Sequence, residues 1–403
     1  MKKVYIVGAK RTAIGSFLGT LKDQHPAQLG AKVLSAICNE IKLPLEAINE
    51  VLVGNVLPAG LGQGIARQVS INAGVPVTVP ACTVNMVCGS GMKTIMNGFM
   101  AISLGMHQVV AAGGAETMSM APFILSQRAR TGQKLGNMSA DDHILCDALT
   151  DVFNKYHMGI TAENIAQKYD ISREEQDAFA LVSQQRALAA VDSNRFADEV
   201  VPIEIAKRRE TIIFEQDEYP NRSTSAEKLA KLRPAFQKDG TVTAGNASGI
   251  NDGASMVVLA SEEAVKKYKL APLAEIIAVG QGGVDPSIMG MGPVPAIAEA
   301  LNSADMRLSD MNLLELNEAF AAQSLGVIKE LCLQHNVEEK WLLENTNVNG
   351  GAISLGHPVG TSGNRIVVTL LHEMKKRGLT HGLASLCIGG GMGTAVIVKS
   401  INS

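Results

Sequence analysis

Two stretches of this chain repeat the same alternation of apolar runs, small-residue turns and helical periodicity. Val4-Tyr5-Ile6-Val7-Gly8 reads as a short strand closed by glycine, and Ile276-Ile277-Ala278-Val279-Gly280 repeats it. Each precedes a helix that starts at proline, Pro26 in the first stretch and Pro295 in the second, a residue suited to the first helical turn. Val51-Leu52-Val53-Gly54-Asn55 and Leu313-Leu314-Glu315-Leu316-Asn317 follow as strands ending in asparagine. Then a small-residue turn opens a helix in each. Cys88-Gly89-Ser90-Gly91 leads into Met92, Ile95, Met96, Phe99 and Ile102. His357 through Gly363 leads into Ile366, Val367, Leu370, Leu371 and Met374. Both sets keep the three-to-four residue spacing of one helix face. Both helices are expected to stop at glycine, Gly105 and Gly378. Strands over 109–112 and 383–386 run into Gly113-Gly114 and Gly389-Gly390-Gly391.

The closing strands expose an insertion. Gly393 to Val398 follows the second glycine cluster at once, whereas its counterpart, Gly253 to Val258, is separated from Gly113 by a long segment. Residues 119–249 therefore interrupt the first half, giving an expected division into 1–118 plus 250–270, an inserted domain over 119–249, and 271–403. Alternating strands and helices imply an α/β fold with two similar sheet-and-helix layers. In such sheets, ligands sit beyond the strand ends.

Composition narrows the function. The chain has 403 residues, enough for two to three domains at roughly 150 residues each. Hydrophobic residues make up 46% and charged ones 19%, a globular balance. A net charge of −3 gives no nucleic-acid footprint. Basic runs such as Lys207-Arg208-Arg209 and Lys375-Lys376-Arg377 read as solvated faces, the second also ending a helix. No apolar run reaches the ~18 residues that span a bilayer. Met1-Lys2-Lys3 leads no signal-length apolar stretch, and Ile401-Asn402-Ser403 is no retention or peroxisomal tag. A cytoplasmic protein with neither nucleic-acid nor membrane partners is expected. The six cysteines form no Cys-x-x-Cys pair, and with the histidines they complete no zinc pattern. Cys38 and Cys332 lie on apolar helical faces and are assigned to the core.

Four residues fall at matched strand ends and helix starts. Cys88 opens a helix, where free N–H groups and the dipole lower a thiol pKa, so it is either a nucleophile or a packed core thiol. His357 is either its base or a satisfied structural histidine. Cys387 runs into three glycines whose N–H groups suit an oxyanion, or simply make a tight hairpin. Asn317 presents an amide to water or substrate, or caps a helix. Ser90-Gly91-Met92-Lys93 matches the Ser-x-x-Lys of penicillin-binding enzymes, but their companion motifs are absent.

Together the blocks Val84–Gly91, Asn317-Glu318-Ala319-Phe320, Gly356-His357-Pro358 and Cys387–Gly393 resemble the four active-site blocks of the thiolases. Gly113–Ser119, His157-Met158-Gly159, Arg233–Phe236 and Gly245–Gly249 extend the resemblance over essentially the whole chain. It implies a duplicated five-layer α/β/α/β/α fold with an inserted loop domain. It further implies the family's short-chain, biosynthetic branch: reversible Claisen condensation of two acetyl-CoA to acetoacetyl-CoA and CoA. The alternative is a degradative 3-ketoacyl-CoA thiolase of broader chain length. By the resemblance Cys88 is acylated, largely from a thiolate, and Cys387 moves the Cα proton. His357 activates Cys88 and, with a water on Asn317, stabilises the enolate. The N–H groups of Cys88 and Gly389 hold the second oxyanion. Ser248, His157, Met158, Phe236 and Met289 line the CoA channel. Arg222 is assigned to the CoA phosphates, although its local sequence departs from the family pattern. No tightly bound cofactor is implied, the CoA thioesters being substrates. The family also implies a homo-oligomer, a tetramer built as two dimers, bridged by part of the insertion near 120–145.

Overall fold

A computed structural model describes residues 2–401, so the expectation that rested on Met1, Asn402 and Ser403 lies outside the described residues. In the first half, strands β1 (Val4–Thr12), β2 (Glu50–Gly54), β3 (Ala81–Val84), β4 (Val109–Thr117) and β5 (Asn251–Ser261) form the sheet. The second half supplies β6 (Ala274–Gly283), β7 (Leu313–Leu316), β8 (His381–Ile388) and β9 (Met392–Ser400). The strand order is β7-β8-β9-β6-β1-β5-β4-β2-β3.

This order is one pattern written twice. The pairs β1–β5 and β6–β9 are antiparallel, as are β5–β4 and β9–β8. The pairs β4–β2 and β8–β7 are parallel. β3 adds a parallel strand beyond β2, and Thr346 makes the matching parallel bridge to Leu314 beyond β7. The register breaks between Ile6 and Gly8 in β1 and between Ile276 and Ala278 in β6, so even the bulge is duplicated. One difference from expectation is that the half-sheets touch: Tyr5 pairs with Glu275 and Ile6 with Ala274, a two-residue seam.

Helices α1 (Pro26–Glu40), α2 (Ile65–Asn72), α3 (Ser90–Ser103), α4 (Met158–Lys168), α5 (Arg173–Asp192), α6 (Pro293–Ala304), α7 (Ala321–His335) and α8 (Val359–Arg377) complete the layers used below. α3 packs on β4, β2 and β5, α8 on β5, β4, β8 and β7, and the two pack on each other. They form the middle layer, which makes one buried core of Met92, Ile95 and Met96 with Ile366, Val367 and Leu370. α1 and α2 cover the first half-sheet, and α6 covers the second. The expected five-layer arrangement is therefore present.

Small residues let the middle helices meet. A β-carbon on Gly91 would stand 2.9 Å from the Asn364 nitrogen, and one on Gly363 would stand 2.7 Å from the Met92 nitrogen. α3 and α8 thus touch backbone to backbone at the very turns that carry Cys88 and His357. Both helices do end at glycines with positive φ, +79° at Gly105 and +63° at Gly378. The second proline-started helix begins at Pro293 instead of Pro295, because Pro293 already supplies the fixed φ of a first turn.

Candidate active site

Cys88 sits in a strained turn between β3 and α3. Val87, immediately before it, has φ +46°, a left-handed conformation that costs a β-branched residue of order 1–3 kcal/mol. Three hydrogen bonds hold the turn: Val87 N donates to Asn85 Oδ1 at 3.0 Å, Met86 N donates to Ser90 Oγ at 2.8 Å, and Ser90 Oγ donates to Val87 O at 2.6 Å. Ser90 is thereby consumed as a brace, and Lys93 reaches Gln281 at 2.9 Å, which disposes of the Ser-x-x-Lys reading.

The expected thiolate is corrected. Burial pushes the half-buried Cys88 thiol up to about 11, against hydrogen bonds from the N–H groups of Gly389 and of Cys88 itself, which pull it down. The charge of Glu116 adds to the rise. With its pKa so raised, Cys88 rests as a thiol. The same N–H contact puts the Gly389 turn on the Cys88 sulfur, as an oxyanion site requires. The hairpin reading of this segment holds as well: Gly390 and Gly391 turn the chain at φ +88°, and Gly391 N closes on Ile388 O at 3.2 Å.

Cys387, the last residue but one of β8, has 1% of its surface exposed. Burial and the proximity of Cys88 both raise its pKa. It shares a core with Met158, Met289, Ala319 and Phe320.

His357 carries the group that can accept a proton. Its Nδ1 lies 2.6 Å from Ser362 Oγ. The Ser362 hydroxyl already donates to Pro358 O at 3.0 Å. Nδ1 is therefore the donor, and Nε2 carries the lone pair. Nε2 is buried without a partner. Burial, and then the charge of Arg365, lower the imidazole to about 4, so it is neutral at physiological pH. Its backbone N–H donates to Asn251 Oδ1 at 2.9 Å, which fixes the loop ahead of α8. Val359, two residues on, belongs to the apolar cluster against which Cys88 packs.

Asn317 caps nothing. The helix after it starts at Ala321 with Phe320 in the cap position, three residues too late. Its backbone N–H binds Ser385 O at 3.0 Å, on the strand that carries Cys387. Both side-chain polar atoms, Oδ1 and Nδ2, are buried and unpartnered. A buried amide with no protein partner is held for something else, since leaving such groups unpaired costs ~1–3 kcal/mol each.

The residues assigned to the CoA channel gather along one wall. Met158 Sδ lies 3.7 Å from where a side chain on Gly389 would begin. His157 caps α4, accepting from Gly159 N at 3.0 Å, and stacks on Phe236 with ring centroids 4.5 Å apart. Phe236 meets the edge of Phe320 at 6.1 Å. Ser248 N donates to Ala319 O at 2.9 Å. Met289 is buried in the same core as Met158. Arg222 stands apart from this wall: it is exposed and paired with Asp192 at the end of α5. Next to it, a cavity of about 320 Å³ is lined by Tyr219, Asn221, Ser223 and Lys228. Among the described residues no group of His, Cys, Asp and Glu is placed to hold a metal ion. Sequence reasoning gave Ser362 and Asn251 no role, and met Asn85 and Ser90 only within the Val84–Gly91 block and, for Ser90, the Ser-x-x-Lys match. Their signal was only that they are small polar residues beside the functional ones.

Comparison with known proteins agrees with this geometry. The N-terminal domain model of the thiolases matches residues 4–263, and the C-terminal domain model matches residues 270–400. An acetyl-CoA acetyltransferase of Syntrophomonas wolfei is 50% identical over 402 residues, covering 99% of this chain and 100% of its own. The crystal structure of the Bacillus anthracis acetyl-CoA acetyltransferase superposes with a TM-score of 0.95 at 45% identity, over 100% of this chain and 99% of that one. The human mitochondrial 3-ketoacyl-CoA thiolase in complex with CoA gives 0.93 at 45% identity, over 100% and 98%. With both halves matched and relatives aligned end to end, this chain belongs to the thiolase family.

Proposed function

We propose that the protein is an acetyl-CoA C-acetyltransferase that condenses two acetyl-CoA to acetoacetyl-CoA and CoA, reversibly, through an acetyl-Cys88 intermediate. What supports this reading is a Cys88 thiol held by the Gly389 N–H and packed on the cluster that contains Val359, two residues after a neutral His357 whose buried Nε2 has no partner. His357 Nε2 takes the thiol proton as sulfur attacks the thioester carbonyl, and the N–H groups of Cys88 and Gly389 hold the developing oxyanion. Collapse of that intermediate leaves acetyl-Cys88 and expels CoA as a thiolate, which takes the Cys387 proton, and the resulting Cys387 thiolate removes a Cα proton from the second acetyl-CoA. Its high resting pKa suits it to hold that proton, while the unpartnered Asn317 amide, with a water, and His357 hold the enolate oxygen. Attack of the enolate on acetyl-Cys88 forms the carbon–carbon bond and breaks the carbon–sulfur bond, and the released Cys88 sulfur takes its proton back from His357.

The CoA thioesters are substrates, and the reaction as written needs no tightly bound cofactor. Ser248, His157, Met158, Phe236 and Met289 are read as the channel wall, and Arg222, which pairs with Asp192 apart from them, is read as a phosphate contact at the far end of a bound CoA. The short-chain assignment follows relatives named acetyl-CoA acetyltransferase at about half identity over their whole length. Its test is thiolysis of acetoacetyl-CoA against 3-ketohexadecanoyl-CoA. Strong preference for the short substrate is expected, and equal turnover would move the assignment to a degradative thiolase.

The protein is further read as a tetramer of two dimers. The antiparallel pair Phe123–Leu125 and Ala140–Asp142 exposes Phe123, Leu125 and Met138, and Leu135 between them is 93% exposed. Apolar side chains this concentrated on one hairpin fit a protein–protein contact. No helix among the described residues is long and apolar enough to cross a membrane, and a cytoplasmic location is part of the same proposal.

A further inference from the structure

Glu116, near the end of β4, is fully buried, and the reaction as written does not use it. Its Oε1 accepts from Asn55 Nδ2 at 2.8 Å and Leu57 N at 3.2 Å. Its Oε2 accepts from Val56 N at 2.8 Å and Gly360 N at 3.0 Å. Four donors on two oxygens leave no position for a proton unless one bond breaks. The donors come from two places that must be kept in register. Val56 and Leu57 leave β2, and their side chains, with Val359, form the apolar cluster against which Cys88 packs. Gly360 lies in the first turn of α8, three residues after His357, where backbone N–H groups and the helix dipole favour an anion. The approach is so close that a β-carbon on Gly360 would stand 2.4 Å from Glu116 Oε2.

We infer that Glu116 is the positioning residue of the active site: its ionised carboxylate clamps the exit of β2 to the first turn of α8, and so sets His357 Nε2 against the Cys88 sulfur. The clamp ties the two halves of the chain together at the one place where nucleophile and base come from different halves. The inference rests on the reading of Cys88 as nucleophile and His357 as base. Burial pushes the Glu116 carboxyl up to about 7, against the pull of the Val56, Leu57 and Gly360 N–H groups. Its protonation thus falls in an accessible range. The ionisable groups turned toward this corner are Asp252 on β5, which Ser119 holds at 2.6 and 2.9 Å, and Cys88 ahead of α3.

The test is the rate at which acetyl-CoA adds acetyl to Cys88, followed by intact mass between pH 5.5 and 8. In the wild type the rate should fall toward the acid end as the clamp takes up a proton. Glu116→Gln places an amide against two N–H donors. It should acylate roughly 10- to 100-fold more slowly at pH 8, with KM for acetyl-CoA within about threefold, and should lose the acid limb. Asn55→Ala removes one donor but keeps the carboxylate, and should move the limb to higher pH. This variant carries the test if Glu116→Gln fails to fold. Asp252→Asn should keep the limb. A wild-type acylation rate in Glu116→Gln, an acid limb that persists in it, an unmoved limb in Asn55→Ala, or a limb abolished by Asp252→Asn would each overturn the clamp. Acylation of Cys88→Ala would instead overturn the nucleophile assignment on which it rests.

Discussion

The two halves place the same landmarks at the same points of the same sheet and use them differently. Asn55 and Asn317 follow matched strands, β2 parallel to β4 and β7 parallel to β8. Asn55 spends its amide nitrogen on Ala115 O at 3.0 Å and on Glu116 at 2.8 Å, whereas Asn317 spends neither nitrogen nor oxygen. Cys88 and His357 both precede a middle-layer helix, and each follows a residue with positive φ, Val87 at +46° and Gly356 at +103°. Duplication therefore supplied two equivalent turns that face each other across the middle layer. One asparagine became part of a clamp and the other stayed free for a ligand. On the proposed reading, nucleophile and base each come from the start of a different helix.

The sharpest way to break this comparison is to remove the residue unique to each half. Cys88→Ala should abolish the acetyl adduct, whereas Cys387→Ala should still acylate yet lose exchange of the acetyl-CoA methyl protons with deuterated water. Both are read by mass and by proton NMR, and equal loss of acylation in the two would contradict the division of labour.

Exchanging attention to the asparagines gives the next largest effect. Asn317→Ala should lower kcat roughly 10- to 1000-fold, the scale for an oxyanion contact, with little change in melting temperature. Asn55→Ala, which removes a buried hydrogen-bonded amide, should instead lose about 1–2 kcal/mol of stability by urea unfolding. If both variants lost stability equally and kept kcat, the halves would not differ in the way described.

Much of this was legible in the sequence, and what was not has physical causes. The periodicity of Met92 through Ile102 and of Ile366 through Met374 announced the two middle helices because their apolar side chains keep helical spacing, although α8 is buried on all sides from Val359 to Leu371. The four blocks announced Cys88, Asn317, His357 and Cys387. Burial escaped the sequence reading: a helix start predicts a lowered Cys88 pKa, but desolvation outweighs the dipole and raises it to about 11. Asn317 read equally well as a cap, since the three-residue delay before Ala321 leaves no composition signal. The clamp at Glu116 joins residues far apart in the chain, and no spacing reveals it. The seam at Tyr5 and Ile6 escaped for the same reason, since a single pair of edge residues has no periodicity of its own.

A smaller effect tests how the insertion is fastened to α8. Glu373, 2% exposed on α8, accepts from Arg195 at 2.7 and 2.8 Å and from Asn349 at 2.8 Å, and also pairs with Arg377. Burial opposes ionisation here, but the bonds from Arg195, Asn349 and Arg377 outweigh it and hold the carboxyl at about 2. A carboxyl depressed in the folded state contributes stability that is present above its unfolded value near 4.5 and lost as pH falls toward 2. Glu373→Gln should therefore cost about 2 kcal/mol at pH 7, and the gap to wild type should close in acid. A gap independent of pH would mean the side chain acts by shape alone.

The smallest effect expected is also the most diagnostic of how the halves diverged. Gly356 meets its positive φ with the one residue that pays no steric penalty there, while Val87 meets the same demand with a β-branched side chain. Val87→Gly removes strain of order 1–3 kcal/mol, but it also adds freedom to the unfolded chain, worth about 0.4–1 kcal/mol in the other direction. The difference, between about 0 and 2.6 kcal/mol, is reduced further by the contacts that the half-buried Val87 side chain gives up, so the net gain should be small and seen as a slightly raised melting temperature. Activity should move the opposite way, because the strained turn, braced by Asn85 and Ser90, is what aims the Cys88 sulfur at the Gly389 N–H. Acylation slowed severalfold in a more stable protein is the expected outcome. A variant both less stable and fully active would show that Val87 is held by packing, and that the left-handed turn stores nothing the reaction uses.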